Sequence, residues 1–205
     1  MTLLLFLEQL FNGVQFGVTL FLIAAGLTLI LGIMDFVFLA HGGQVMIGAY
    51  AAATLTNLTG NFFLGILLAI PITFASGYIL EYVLIRHLYR RDHMDQVLAT
   101  FGLILFFNEL IRIGFGPAAL FSDLPLLLSG FVYILPETPY PMFRLIVIVV
   151  GLACALGIHF IVSHTKIGAM VRAGANNEAM TAALGINIRI LRRLLFAAGA
   201  CFAGI

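Results

Sequence analysis

The sequence has no tryptophan, two cysteines, a single lysine (Lys166) and few charged residues of either sign. Charged side chains make up 9% of the 205 residues, against roughly 25% in an ordinary soluble domain. Hydrophobic residues reach 62%, and the mean hydropathy is +1.14. A soluble core of this size cannot absorb so much apolar side chain, because its surface has to be wetted. A soluble globular class is therefore excluded, and lipid is the natural solvent for the excess. The formal net charge of +1 leaves no basis for a nucleic-acid partner. Cys154 and Cys201 both sit in apolar runs and have neither metal-site spacing nor an evident disulfide role, so they are expected to be packing residues. Without Trp, the interfacial aromatic belt falls to Tyr and Phe.

Chemistry-bearing motifs are missing too. No Gly-x-x-x-x-Gly-Lys-[Ser/Thr] occurs and Lys166 lies in no such loop, so any ATP-driven step needs another chain. There is no His-Glu-x-x-His or Gly-x-Ser-x-Gly, and the five histidines show no metal-ligand spacing. Catalytic residues, a metal site and a cofactor bound by this chain are not expected.

What is present is a series of apolar runs. A membrane-crossing helix needs about 20 mostly apolar residues. Residues 10–34 hold no charge, and 36–80 hold no Asp, Glu, Lys or Arg, enough for two spans with a turn at Asn57-Leu58-Thr59-Gly60-Asn61. Residues 97–115 make a fourth span, with Glu109 and Arg112 near one end, three apart and able to pair. Residues 142–162 make a fifth, and a sixth starts near Leu194 and is cut short at Ile205. The expectation is an all-α polytopic bundle of about five complete spans plus a truncated sixth, forming one domain over 1–205 of a longer protein. The N-terminus has no basic region, and Glu8 precedes the first run, so that run is expected to be a retained helix rather than a cleaved signal.

Loop charge orients the bundle. Arg86, Arg90 and Arg91 lie between spans three and four; Lys166, Arg172, Arg189, Arg192 and Arg193 lie between five and six; the loop 116–141 has neither Lys nor Arg. Both basic loops fall on one side of a five-span count and are assigned to the cytoplasm, which leaves the N-terminus outside. Glycines recur through the first span at Gly13, Gly17, Gly26 and Gly32. They allow close helix approach, although membrane helices are Gly-rich in any case.

Three segments carry more specific information. In the first, Asp35, His41 and Gln44 sit in apolar surroundings next to Gly42-Gly43, which weaken a helix. This is either a discontinuous helix lining a path or an ordinary connection with His41 bonded to backbone. The second is the loop 164–193. Asn176 or Asn177 can cap a helix, Glu178 lies in its first turn, Ala179, Ala182 and Ala183 give a smooth face, and Gly185 suits its C-terminus. A short cytoplasmic helix of this kind suits docking into a partner's groove; the alternative is an interfacial helix lying on the membrane. In the third, 81–102, a span leaves the bilayer through Tyr and Arg. Most of its charges are expected to be solvated, with Glu81 the exception inside the bundle.

Together these segments resemble the LivH family, permeases of branched-chain amino acid ABC importers with urea and short-amide relatives. The resemblance runs along essentially the whole chain. It rests on Gly26-Leu27-Thr28-Leu29-Ile30, Ala40-His41-Gly42, Met46-Ile47-Gly48-Ala49-Tyr50, Asp95-Gln96-Val97-Leu98-Ala99-Thr100-Phe101-Gly102-Leu103, Gly116-Pro117, Ile167-Gly168, Val171-Arg172-Ala173 and the block 178–187. It implies an inner-membrane, multi-pass subunit that works by alternating access. Its partners would be ABC ATPase subunits carrying the ATP, a second related permease and a periplasmic binding protein, all in membrane lipid. It implies that 176–187 is the coupling helix, with Arg172, Gly174, Asn177, Glu178, Ala179, Ala182, Gly185 and Asn187 contributing to ATPase coupling. It also places Asp35, Phe38, Ala40, His41, Gly42 and Gln44 along the substrate pathway. Family members commonly carry Asn where this chain has Phe38, which makes the pathway more apolar here and leaves the substrate open. A urea or amide permease, a secondary transporter or channel working without ATP, and a non-transporting assembly protein are the competing readings.

Overall fold

The computed structural model describes residues 3–34, 36–118, 120, 125, 128–135 and 138–204. It is mainly helical. The helices are α1 (Leu3–Met34), α2 (His41–Thr59), α3 (Phe62–Leu80), α4 (Arg86–Leu88), α5 (His93–Phe115), α6 (Met142–His164), α7 (Lys166–Asn176), α8 (Glu178–Ala183) and α9 (Ile188–Gly204). A π-helical turn, Glu81–Ile85, joins α3 to α4 without a break. Among the described residues, four helices are long and apolar enough to cross a membrane: Leu5–Gly32, Phe62–Leu88, His93–Phe115 and Met142–His164. Most of their side chains are exposed, including Phe16, Leu67, Leu98 and Leu156, as lipid-facing helices require. Two expected spans are not in that set. The helix α2 carries His41, Gln44 and three threonines, and α9 has 17 residues with three arginines in its first half.

Element ends follow local chemistry. Gly60 takes the left-handed conformation (φ 63°) that closes α2. The Asn61 side chain then accepts hydrogen bonds from the Phe63 and Leu64 amides to start α3. The turn read from 57–61 therefore stands at that place. Glu109 and Arg112 form an exposed ion pair, 3.7 Å apart, near the end of α5.

Two expectations need correction. An all-α chain did not include strands, yet β1 (Phe131–Leu135) and β2 (Thr138–Pro141) form an antiparallel hairpin with a register irregularity after Tyr133. Its apolar, β-branched and aromatic residues favour extended chain, a signal hidden among the longer apolar runs. The sixth helix also begins at Ile188 rather than near Leu194, because the Asn187 side chain accepts a bond from the Ile190 amide and caps it there.

The helix α9 lies against α1, α2 and α3, and small residues set the spacing. A Cβ on Gly26 of α1 would collide with the Gly199 carbonyl of α9, one on Gly48 of α2 with Gly204, and one on Gly77 of α3 with Ala200. Backbones approach this closely in lipid only where side chains are absent. Among the described residues, a Cβ on Gly13, Gly17 or Gly32 would meet no such neighbour.

The two ends of the bundle differ. At one end, Arg144 donates to Asn12 (2.6 Å), Phe11 meets Tyr140, Phe62 meets Phe143 and Tyr50 meets Phe115. At the other end lie the start of α5, the exits of α1 and α4, both basic loops and the start of α9. The core sits there. Phe36 and Phe38, in the non-helical link between α1 and α2, pack with Ile30, Met34, Ile85, Leu103, Phe107, Leu191, Leu195 and Phe196.

Candidate functional site: the basic end of the bundle

Site residues gather where chain breaks and charges coincide. The link between α1 and α2 is non-helical over 36–40. The break precedes Gly42-Gly43, which fall in the first turn of α2. A Cβ on Gly43 would strike the Phe107 ring, so close packing accounts for glycine there. Asp35 lies outside the described residues. Phe38 is 2% exposed and meets Phe196 edge-on at 4.9 Å. Ala40, His41 and Gln44 are buried, and Gly42 is exposed. The His41 Nε2 lies 3.1 Å from the Ile23 carbonyl, which can only accept, so Nε2 carries the proton. The backbone bond expected of an ordinary connection is therefore present together with the helix break. Gln44 Oε1 accepts from Ser76 (3.0 Å), while Gln44 Nε2 and His41 Nδ1 have no partner among the described residues.

Gln96 holds this break in place. It is buried, its Oε1 accepts from the Val37 amide (3.3 Å), and its Nε2 donates to the carbonyls of Leu88 (3.3 Å) and Arg91 (3.1 Å). One side chain thus ties together backbone groups of two loops: the Val37 amide, the Arg91 carbonyl and the Leu88 carbonyl, the last of which also accepts from the Arg91 amide (3.0 Å).

The loop 164–193 divides into two helices. Thr165 caps α7 by accepting from the Gly168 amide (3.1 Å), and Arg172 reaches back to the Val162 carbonyl of α6. Gly174 is buried in that packing. Asn177, not Asn176, caps α8, accepting from the Met180 amide at 2.9 Å. Glu178 opens the helix, where the dipole favours a carboxylate. The helix closes at Ala183, earlier than the reading to Asn187, because Gly185 turns the chain at φ 87° and Asn187 belongs to the cap of α9. Thr181 faces inward; Ala179, Met180, Ala182, Ala183 and Leu184 are exposed. The large apolar residues of that surface, Met180 (65% exposed) and Leu184 (72%), lie outside the expected set. An alanine pattern does not reveal them, since which face of a six-residue helix points outward is set by the tertiary contacts of Thr181.

A charged cluster links α8 to the bundle. Arg192 of α9 forms an ion pair with Glu178 and stacks over Tyr89 at 4.7 Å. Arg193 Nε lies 3.1 Å from Glu81 Oε2. Glu81, 2% exposed, sits in the π-turn, so the expectation that it lies inside the bundle holds. The Tyr89 hydroxyl is 3.4 Å from Glu81 Oε1 and 3.2 Å from Met34 Sδ. Burial, and next the Glu81 carboxylate, push the Tyr89 phenol well above its ordinary value, so it stays a donor. Beside this cluster, a polar cavity of about 640 Å³ is lined by Arg90, Glu178, Asn187, Arg189 and Arg192.

Long apolar helices, a helix break beside buried polar groups and an exposed capped helix at the basic end define a polytopic membrane protein. Comparison with known proteins gives the family. The family described as the branched-chain amino acid transport system permease component matches residues 9–205, and the chain belongs to that family. Similar proteins include BraD, a permease protein of the high-affinity branched-chain amino acid transport system of Pseudomonas aeruginosa. It is 29% identical over 213 residues, covering 98% of this chain and 69% of that one. LivH of Escherichia coli K12, of the same description, is 27% identical with the same coverage. A probable LivH from Methanocaldococcus jannaschii is 26% identical, covering 91% of this chain and 60% of its own. No solved structure matches.

Proposed function

We propose that the chain is the membrane-spanning permease subunit of an ATP-driven importer of branched-chain or related amino acids. The exposed helix α8 is its docking element for an ABC ATPase, and this helix is the observation that carries the reading. It is capped at Asn177, closed at Gly185, held between α7 and α9, and presents Met180 and Leu184 outward. An exposed apolar pair on a short rigid helix suits insertion into a partner's groove. These 205 residues carry no Gly-x-x-x-x-Gly-Lys-[Ser/Thr], which supports a reading in which that partner hydrolyses ATP. The basic end is taken as cytoplasmic, with α2 and α9 crossing the bilayer inside the bundle. A periplasmic binding protein delivers the solute, and a second permease chain completes the path. The segment 36–44, with His41 and Gln44 at the start of α2, lines that path.

The test is co-purification from membranes. Leu184→Asp and Met180→Glu leave the bundle contacts intact and are expected to reduce the ATPase recovered with the permease about tenfold or more, as loss of a central apolar anchor does. Undiminished ATPase recovery with both variants would overturn the docking assignment. Glu178→Arg is a less selective probe, because it also breaks the pair with Arg192.

A further inference from the structure

We propose that Glu81 is a positioning residue that, through the adjacent Arg193 and Arg192, transmits movement of α8 into the third apolar helix. This rests on α8 being the element that meets the ATPase. Consecutive residues on a helix point about 100° apart, so the paired arginines at the start of α9 reach different neighbours. Arg192 turns out to Glu178 on α8, and Arg193 turns in to Glu81. Their separate partners make α9 a rigid connector between a surface helix and a buried carboxylate.

The inner anchor is built for this. Glu81 opens a π-turn, and such turns interrupt the regular ladder and recur at functional positions. Its carboxylate meets Arg193 on one oxygen and the Tyr89 hydroxyl on the other. Tyr82, in the same turn, lies beneath both Arg193 (4.7 Å) and Arg86 (4.5 Å), and Tyr89 lies beneath Arg192. The ring contacts of Arg192 and Arg193 hold both guanidiniums against the Tyr82–Tyr89 segment around Glu81. A buried ion pair gives little net stability but fixes geometry. Shifting α8 by way of Glu178 and Arg192 therefore pulls on a register fixed at Glu81. The same buried charge adjoins Met34 through Tyr89, so the movement reaches the end of α1 at the chain break.

Two readouts on the full chain test this. Spin labels at Leu184 on α8 and at exposed Ile79 on α3 report the distance between the helices. Glu81→Gln and Glu178→Gln should each broaden it, and the double variant should broaden it no further, because both act through one connection. In the reconstituted complex, Glu81→Gln should lower solute transported per ATP hydrolysed about tenfold, within the usual range of coupling between sites, and Glu81→Asp should restore most of it. Should Glu81→Gln fail to reach the membrane, Tyr89→Phe, which removes only the hydroxyl bonded to Glu81, is read the same way. An unchanged distance distribution, additive broadening, or uptake and hydrolysis falling in proportion would overturn the inference. The importer reading itself fails separately, if the unaltered complex shows no hydrolysis, and the distance measurement needs no ATPase.

Discussion

Single side chains at the basic end serve more than one element. Gln96 is the clearest case, since it satisfies the Val37 amide and the Leu88 and Arg91 carbonyls together. Leaving the Val37 amide unpaired beside the core costs about 1–3 kcal/mol. Gln96→Leu, similar in size, is therefore expected to lower the thermal unfolding midpoint of the detergent-solubilised protein clearly, whereas Leu98→Ala, at a position 73% exposed, should leave it nearly unchanged. Equal midpoints for the two variants would remove Gln96 from its role. The side chain's place in the sequence, at the start of a long apolar run, gives no hint of this, because its partners lie in two other loops, one of them 59 positions away. Glu81 was legible as buried because it follows 45 residues without Asp, Glu, Lys or Arg, whereas its partner Arg193, 112 positions on, was not.

The helices themselves are set by where polar groups can be satisfied. Caps at Asn61, Thr165, Asn177 and Asn187 and left-handed glycines at 60 and 185 mark element ends, and most of these were readable because cap chemistry is local. The run 97–115 extended back to His93, where the Gln96 amide bonds the Asp92 carbonyl. The hairpin of β1 and β2 and the helical character of α7 were not readable, since strand pairing and the packing of Val171 and Gly174 depend on distant residues. Glycine usage was readable as a composition and not as a contact map. Only the structure separates Gly26 and Gly199, which touch, from Gly13 and Gly17, which do not. Gly199→Val must force α1 and α9 apart, and overpacking of this kind costs about 1–3 kcal/mol. The expected result is a lower unfolding midpoint than that of Gly13→Val. Equal midpoints would mean that α9 tolerates the added bulk and is not tightly seated.

Over the whole molecule, polarity is divided between two ends. The two basic loops, the chain break at 36–40 and the capped helix α8 share one end, and the Asn12–Arg144 bond and the exposed Glu109–Arg112 pair share the other. This is the arrangement that the positive-inside count requires, with both basic loops on one side. The apolar cluster around Phe36, Phe38 and Phe196 also lies at the basic end. On the proposed function, this bundle moves branched-chain amino acids only when an ATPase acts on α8. The most direct test is uptake of labelled leucine by proteoliposomes holding the complete complex with its binding protein. Uptake is expected to require ATP and to be lost in the Leu184→Asp variant. Uptake that continues without ATP, or that proceeds at the unaltered rate in that variant, would contradict the proposed function.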